Sequence, residues 1–136
     1  MATVIIYTND NGGVSVTVPT GEISIEAVLT KDCPKGALIV ENNALPQGVG
    51  ASFFDAWELA DGVVTVSLTK AKDITKKRLR AEREPLLAAQ DVAFQRAQEA
   101  NTSTTAIVAE KKRLRDITTL ADAATTLNEL KALSVE

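Results

Sequence analysis

The sequence predicts an α+β chain, with a small β-rich module over residues 1–68 followed by a helical hairpin or small bundle over residues 69–136. Three observations predict it. Apolar residues recur with a period of two in the first half and of about 3.6 in the second. All seven glycines lie between Gly12 and Gly62, and of the four prolines only Pro85 follows Pro46, so the later stretch favours long helices. Charge divides in the same place: residues 1–68 carry eight Asp/Glu and two Lys, whereas residues 69–136 carry ten acids and thirteen bases, so a net charge of -3 hides two halves of opposite sign.

Taken in order, Thr3–Tyr7 and Val14–Val18 are rich in β-branched residues. In the second run Val14, Val16 and Val18 alternate with Ser15 and Thr17, the pattern of a half-buried strand. Asn9-Asp10-Asn11-Gly12-Gly13 between them tolerates positive φ and predicts a hairpin with a loop longer than two residues. Ser24 caps a short helix through Leu29 that must end before Cys33-Pro34, because the residue preceding a proline is pushed out of the helical region. Ala37–Glu41 reads as a third strand. Ala56–Leu59 and Val63–Leu68 flank the turn signal Ala60-Asp61-Gly62 and predict a second hairpin.

From Thr69 the helical period takes over. Ala71, Ile74, Leu79, Leu86, Ala89, Ala93 and Ala97 form one apolar stripe, with Leu87 and Phe94 beside it. Pro85 either kinks one long helix over about 70–100 or sits in the first turn of a new one. Asn101–Thr105 supplies a C-cap followed by an N-cap for a helix from about 105 to 118, with Ile107, Leu114 and Ile117 inward. Asp122 or Thr125 is the expected cap of a last helix carrying Leu127, Leu130 and Leu133 on its inner side.

Composition restricts the chemistry. A chain of 136 residues with 45% hydrophobic residues has enough material for its own core, and its single cysteine, Cys33, cannot form an internal disulfide. It contains no histidine, which removes the commonest general base, the commonest metal ligand and every His-containing triad. Asp55 with Glu58, and Glu82 with Glu84, are carboxylate neighbours without the defined separation across a cleft that acid-base pairs need. No Gly-Lys-Ser/Thr phosphate loop occurs. The expectation is a non-enzymatic protein without metal, nucleotide or redox cofactor, in which Cys33 is a small packed side chain. Met1–Tyr7 has neither the positive nor the apolar region of a signal peptide, and no stretch reaches membrane-spanning length, so no membrane association is expected.

Two constellations remain. Lys-Lys-Arg-Leu-Arg occurs at 76–80 and again at 111–115, the one internal repetition. It reads either as a basic face for an acidic partner or as two buried leucines surrounded by solvated charge. Nucleic acid is disfavoured, because the sequence pI is near 5.1 and Phe94 is the only aromatic residue of the basic half. Phe53, Phe54 and Trp57 concentrate three of five aromatics, suited either to a small core or to a partner contact.

The block Leu79-Arg80-Ala81-Glu82-Arg83-Glu84-Pro85-Leu86-Leu87-Ala88-Ala89-Gln90-Asp91, with Glu110-Lys111-Lys112-Arg113-Leu114-Arg115-Asp116-Ile117-Thr118, resembles the helical module of tail and tail-fibre assembly proteins of tailed bacteriophages. The chaperone-like members usually have a tryptophan directly after that aspartate, where this chain has Val92. The resemblance implies a structural protein of the virion, in the tail, baseplate or tail-fibre attachment region, or alternatively an assembly chaperone not retained in the particle. It implies phage tail or tail-fibre proteins as partners, self-association into a homo-oligomer, and a location in the virion after assembly in the host cytoplasm. The residues expected at such contacts are Arg78, Arg80, Leu87, Phe94, Arg113, Arg115 and Trp57. Physically, the recurring arginines and Asp91 or Asp116 are expected to tie antiparallel helices by charge-assisted hydrogen bonds, with Leu79, Leu86, Leu87 and Leu114 packed between them.

Overall fold

A computed structural model describes residues 2–136 and has the expected α+β order: short strands first, long helices after. The chain divides into two compact units, one ending at Ala71 and the other running from Lys72 to Glu136.

In the first unit, strands β1 (Thr3–Thr8), β2 (Val14–Thr17) and β3 (Leu38–Glu41) form an antiparallel sheet in the order β2-β1-β3. Ile5 stands opposite both Thr17 and Ile39, and Val4 opposite Val40. As the central strand, β1 buries consecutive residues Val4, Ile5 and Ile6, so its apolar run is continuous where that of β2 alternates. The Asn9 side chain makes the first turn: its Oδ1 accepts from the Asn11 and Gly13 amides at 3.1 and 3.0 Å, an Asx turn that holds the strand ends together. Helix α1 (Ile25–Asp32) begins where Ser24 Oγ accepts from the Ala27 amide and ends before Pro34.

A one-turn helix, α2 (Val49–Ser52), precedes a second antiparallel pair, β4 (Trp57–Ala60) and β5 (Val63–Val66). Asp61 and Gly62 both have positive φ, 53° and 78°, which gives this hairpin the right-handed twist of its strands. Trp57 and Val64 join Val4, Ile6, Val14 and Leu45 in the core of this unit. Ala56 lies in a 3-10 turn instead of in the strand, and β5 stops at Val66, two residues short of the expected end at Leu68. The reason is capping: Ser67 Oγ accepts from the Lys70 amide, and the Ser67 carbonyl accepts from the Ala71 amide, so Ser67 starts a helix where alternation alone would extend a strand.

That helix, α3 (Leu68–Glu99), runs unbroken through Pro85, so no new helix starts there. It ends in a Schellman motif: Asn101 adopts φ 60°, its amide bonds the Gln98 carbonyl, and the Thr102 amide bonds the Ala97 carbonyl at 2.9 Å. Asparagine fills the left-handed position that glycine usually takes. Helix α4 (Thr105–Ala123) continues beyond the expected end near 118, since nothing from Thr118 to Ala123 breaks it. Helix α5 (Leu127–Ala132) is capped by Thr126, whose side chain accepts from the Glu129 amide, and not by Asp122 or Thr125. Asp122 belongs to α4, and the Thr125 amide instead donates to Glu129 Oε2 at 2.9 Å.

Candidate protein interface

The two basic pentapeptides sit on facing helices of one hairpin, and their positions perform parallel tasks. The fourth residue of each, Leu79 on α3 and Leu114 on α4, is fully buried, and the two share a core with Ile117 and Val135. The first residue of each reaches the opposite helix. Lys76 Nζ is 2.8 Å from Asp122 Oδ1, and Lys111 Nζ is 2.6 Å from Asp91 Oδ1 and 5.2 Å from the Phe94 ring centroid, close enough for a cation–π contact. The third residue of each holds the end of the chain: Arg78 Nη2 donates to the Leu133 and Leu130 carbonyls at 2.7 and 3.4 Å, and Arg113 Nη2 donates to the Val135 carbonyl at 2.7 Å. Both guanidiniums are neutralised on their own helix, Arg78 by Glu82 and Arg113 by Glu110.

Electrostatics follow this geometry. The hydrogen bond from Lys76 holds the Asp122 carboxyl below the usual carboxylate range, and the same bond raises the Lys76 ammonium above its ordinary value. Arg113 depresses Glu110 in the same way, and Asp116 raises Lys112 one turn away. These shifts come mainly from hydrogen-bonded partners, with burial opposing each, which is the signature of structural ion pairs.

Of the seven residues expected at partner contacts, three have intramolecular tasks in this hairpin: Arg78 and Arg113 on carbonyls, and Phe94 beneath Lys111. Leu87 is half-buried and packs against the Leu79–Leu114 core. Trp57 lies in the other unit at 5% exposure, its indole Nε1 donating to the Gly50 carbonyl at 2.9 Å, so it is a core residue and Phe54, at 43%, is the exposed aromatic of that trio. Arg80 and Arg115, the fifth residues of the two pentapeptides, remain exposed, with Arg80 near enough to the Lys76–Asp122 pair to act on both charges. Arg80 borders a shallow groove of about 460 Å³ with Arg83, Glu84, Leu87, Ala88 and Asp91. The outward-facing candidate therefore reduces to Arg80, Arg115 and this groove.

Leu86 departs from the expected packing, at 39% exposure. The seam on α3 advances in steps of four through Thr75, Leu79, Arg83 and Leu87, drifting around the helix so that Leu87 takes the inner place. The helices are tied across the hairpin by lysine–aspartate pairs and by arginines on carbonyls; Asp116 pairs with Lys112 on its own helix.

Sequence reading missed two parts of this arrangement. Arg83 Nη1 donates to the Leu114 and Arg115 carbonyls at 3.2 and 2.8 Å, and nothing in its neighbourhood distinguishes it from the flanking charges. Val135 fills the core from an extended segment after α5; the alternation of Leu133 and Val135 with Ser134 and Glu136 was its available signal.

Among the described residues no cluster of acidic or thiol side chains is spaced to hold a metal, and no helix is long and apolar enough to cross a membrane. Comparison with protein-family models, curated proteins and solved structures finds no match to this chain.

Proposed function

We propose that the protein is a non-enzymatic structural component of a tailed-phage virion, in the tail, baseplate or tail-fibre attachment region, acting through protein contacts with tail or fibre proteins. The observation that carries this reading is the motif block itself. Leu79–Asp91 and Glu110–Thr118, which carry the resemblance to phage tail assembly proteins, lie on the two helices of one hairpin, with their buried leucines in one core. A protein acceptor for this hairpin is favoured over nucleic acid, because five of the eight basic residues in the pentapeptides already have partners within the chain: Lys76, Arg78, Lys111, Lys112 and Arg113. The alternative is an assembly chaperone that leaves before the particle is complete; it comes second because Val92 stands where the chaperone-like members usually have tryptophan.

Quantitative mass spectrometry of purified particles separates the two. A structural component is present at stoichiometric copy number, whereas a chaperone is absent from particles and co-purifies with free fibre or tail protein. Absence from both overturns the tail reading.

A further inference from the structure

The segment after α4 is a peptide docked in cis. Leu127–Ala132 and the extended residues behind it lie against α3 and α4, with Leu130 and Val135 at 0% and 7% exposure and Leu133 packed beside them. The docking groove is defined by Leu79, Leu114 and Ile117 below and by Arg78 and Arg113 at its rim, which grip the carbonyls of Leu130, Leu133 and Val135. Grip on carbonyls reads backbone position, while apolar burial at 130, 133 and 135 sets the register.

The connection to α4 is unusual for a bend. Ala124, Thr125 and Thr126 contain neither glycine nor proline, and Ala124 and Thr126 hold ordinary extended backbone, with φ of -67° and -132°. No covalent feature prevents α4 from continuing through these residues into α5. The break depends on the Thr126 and Glu129 capping bonds and on the contacts of the docked segment. A straightened linker, with Ala124–Thr126 helical, carries α5 onward along the axis of α4 and off its own hairpin.

We propose that residues 127–136 exchange between two copies of this chain: with the linker straightened, the segment of each copy occupies the groove of the other. The groove is already filled by this segment, so a second copy's identical segment fits it, and the reciprocal arrangement is a closed two-fold dimer that recreates every closed-state contact except those of the linker. The proposal does not depend on the tail assignment, which particle composition tests separately.

The experiment is light scattering on the full chain across a concentration series reaching about 1 mM, after warming to just below the unfolding transition and slow cooling. The expected result is a dimer fraction that grows with concentration. Thr126→Ala, which removes the cap needed only in the bent form, should raise that fraction through a change of roughly fivefold per chain. Inserting about six Gly/Ser residues after Ala124 lets the segment close on its own hairpin and should leave monomer with unchanged helicity. Leu130→Asp with Val135→Asp provides a second arm and should abolish the dimer. A chain that stays monomeric at every concentration, with and without Thr126→Ala, overturns the proposal. So does a dimer that survives the insertion or the Leu130/Val135 substitutions, because it must use another surface.

Discussion

Lys76 Nζ and Asp122 Oδ1 lie 2.8 Å apart across the α3–α4 hairpin, and Lys111 and Asp91 repeat the arrangement nearer the hairpin's loop. One lysine comes from each basic pentapeptide and one aspartate from each opposing helix, so the two pairs fix the register of the helices from both ends. The same positions that make the sequence look like a binding face therefore hold the hairpin together.

The Lys76–Asp122 pair should be visible in the pH dependence of stability. Asp122 has an ordinary value of 3.8 and is lowered in the folded chain, so its contribution is complete above that value and is lost as pH falls through the depressed one. Lys76, ordinarily 10.5, is raised, so its contribution is complete below that value and is lost as pH rises through the elevated one. Asp122→Asn should lower the melting temperature at neutral pH, with the gap from the parent closing at both extremes. A gap of constant size across the acid range would show that the pair does not stabilise the fold through charge.

Leu114 is the centre of the hairpin core, and truncation to alanine should cost roughly 2–5 kcal/mol in chemical denaturation. Leu114→Asp should do more, because it buries a charge with no partner, and should reduce helicity as well as the transition midpoint. Unchanged helicity and midpoint in the aspartate variant would contradict the burial of this side chain.

In the first unit, Trp57→Phe keeps most of the apolar volume but removes the indole donor to the buried Gly50 carbonyl. The expected loss is about 1 kcal/mol, the net worth of one hydrogen bond, because the Gly50 carbonyl keeps the Phe53 amide as a donor. Gly50→Ala is predicted to destabilise by another route, since a Cβ there would come 2.9 Å from Pro46 Cβ. Equilibrium unfolding followed by tryptophan fluorescence in Gly50→Ala, and by circular dichroism in Trp57→Phe, measures both.

Asn101 gives a sharper test of local backbone energetics. Its φ of 60° closes α3, so Asn101→Gly should be neutral or stabilising, whereas Asn101→Ala should cost about 1 kcal/mol. Equal melting temperatures for the two variants would remove the Schellman argument.

Arg80 and Arg115 separate interface from fold. Reversing Arg115 to glutamate should change stability by no more than about 0.5 kcal/mol, as expected for an exposed position, and the same change at Arg80 should act only through its exposed neighbours Lys76 and Asp122. Reversing both should weaken association with an acidic partner in a salt-sensitive manner. The same reversal at Arg78 and Arg113 should instead destabilise the hairpin, because it removes the donors to the Leu130, Leu133 and Val135 carbonyls. Pull-down on an acidic bait protein at low and high salt, alongside thermal melts, distinguishes the two effects.

Local information was enough for the type and order of the five strands, α1 and the C-terminal helices, while sequence reading missed the one-turn helix Val49–Ser52. The change of hydrophobic period near Thr69, the glycine-free second half, Asp61-Gly62 in its hairpin turn and Ser24 before α1 all act within a few residues of themselves, and they predict the elements observed around them. Boundaries failed where a capping side chain competed with periodicity, as at Ser67 and Thr126, because one hydrogen bond decides the outcome against a pattern that continues through it. The role of the basic pentapeptides was a tertiary matter. Sequence placed Leu79 and Leu114 inside, but whether a lysine or arginine meets solvent, an aspartate on another helix or a distant carbonyl depends on groups brought near by folding: Asp122 for Lys76, Val135 for Arg113 and Leu114 for Arg83. Long flexible cations have no period of their own, so only the antiparallel register of the hairpin could decide which became clamps and which, like Arg80 and Arg115, stayed outward.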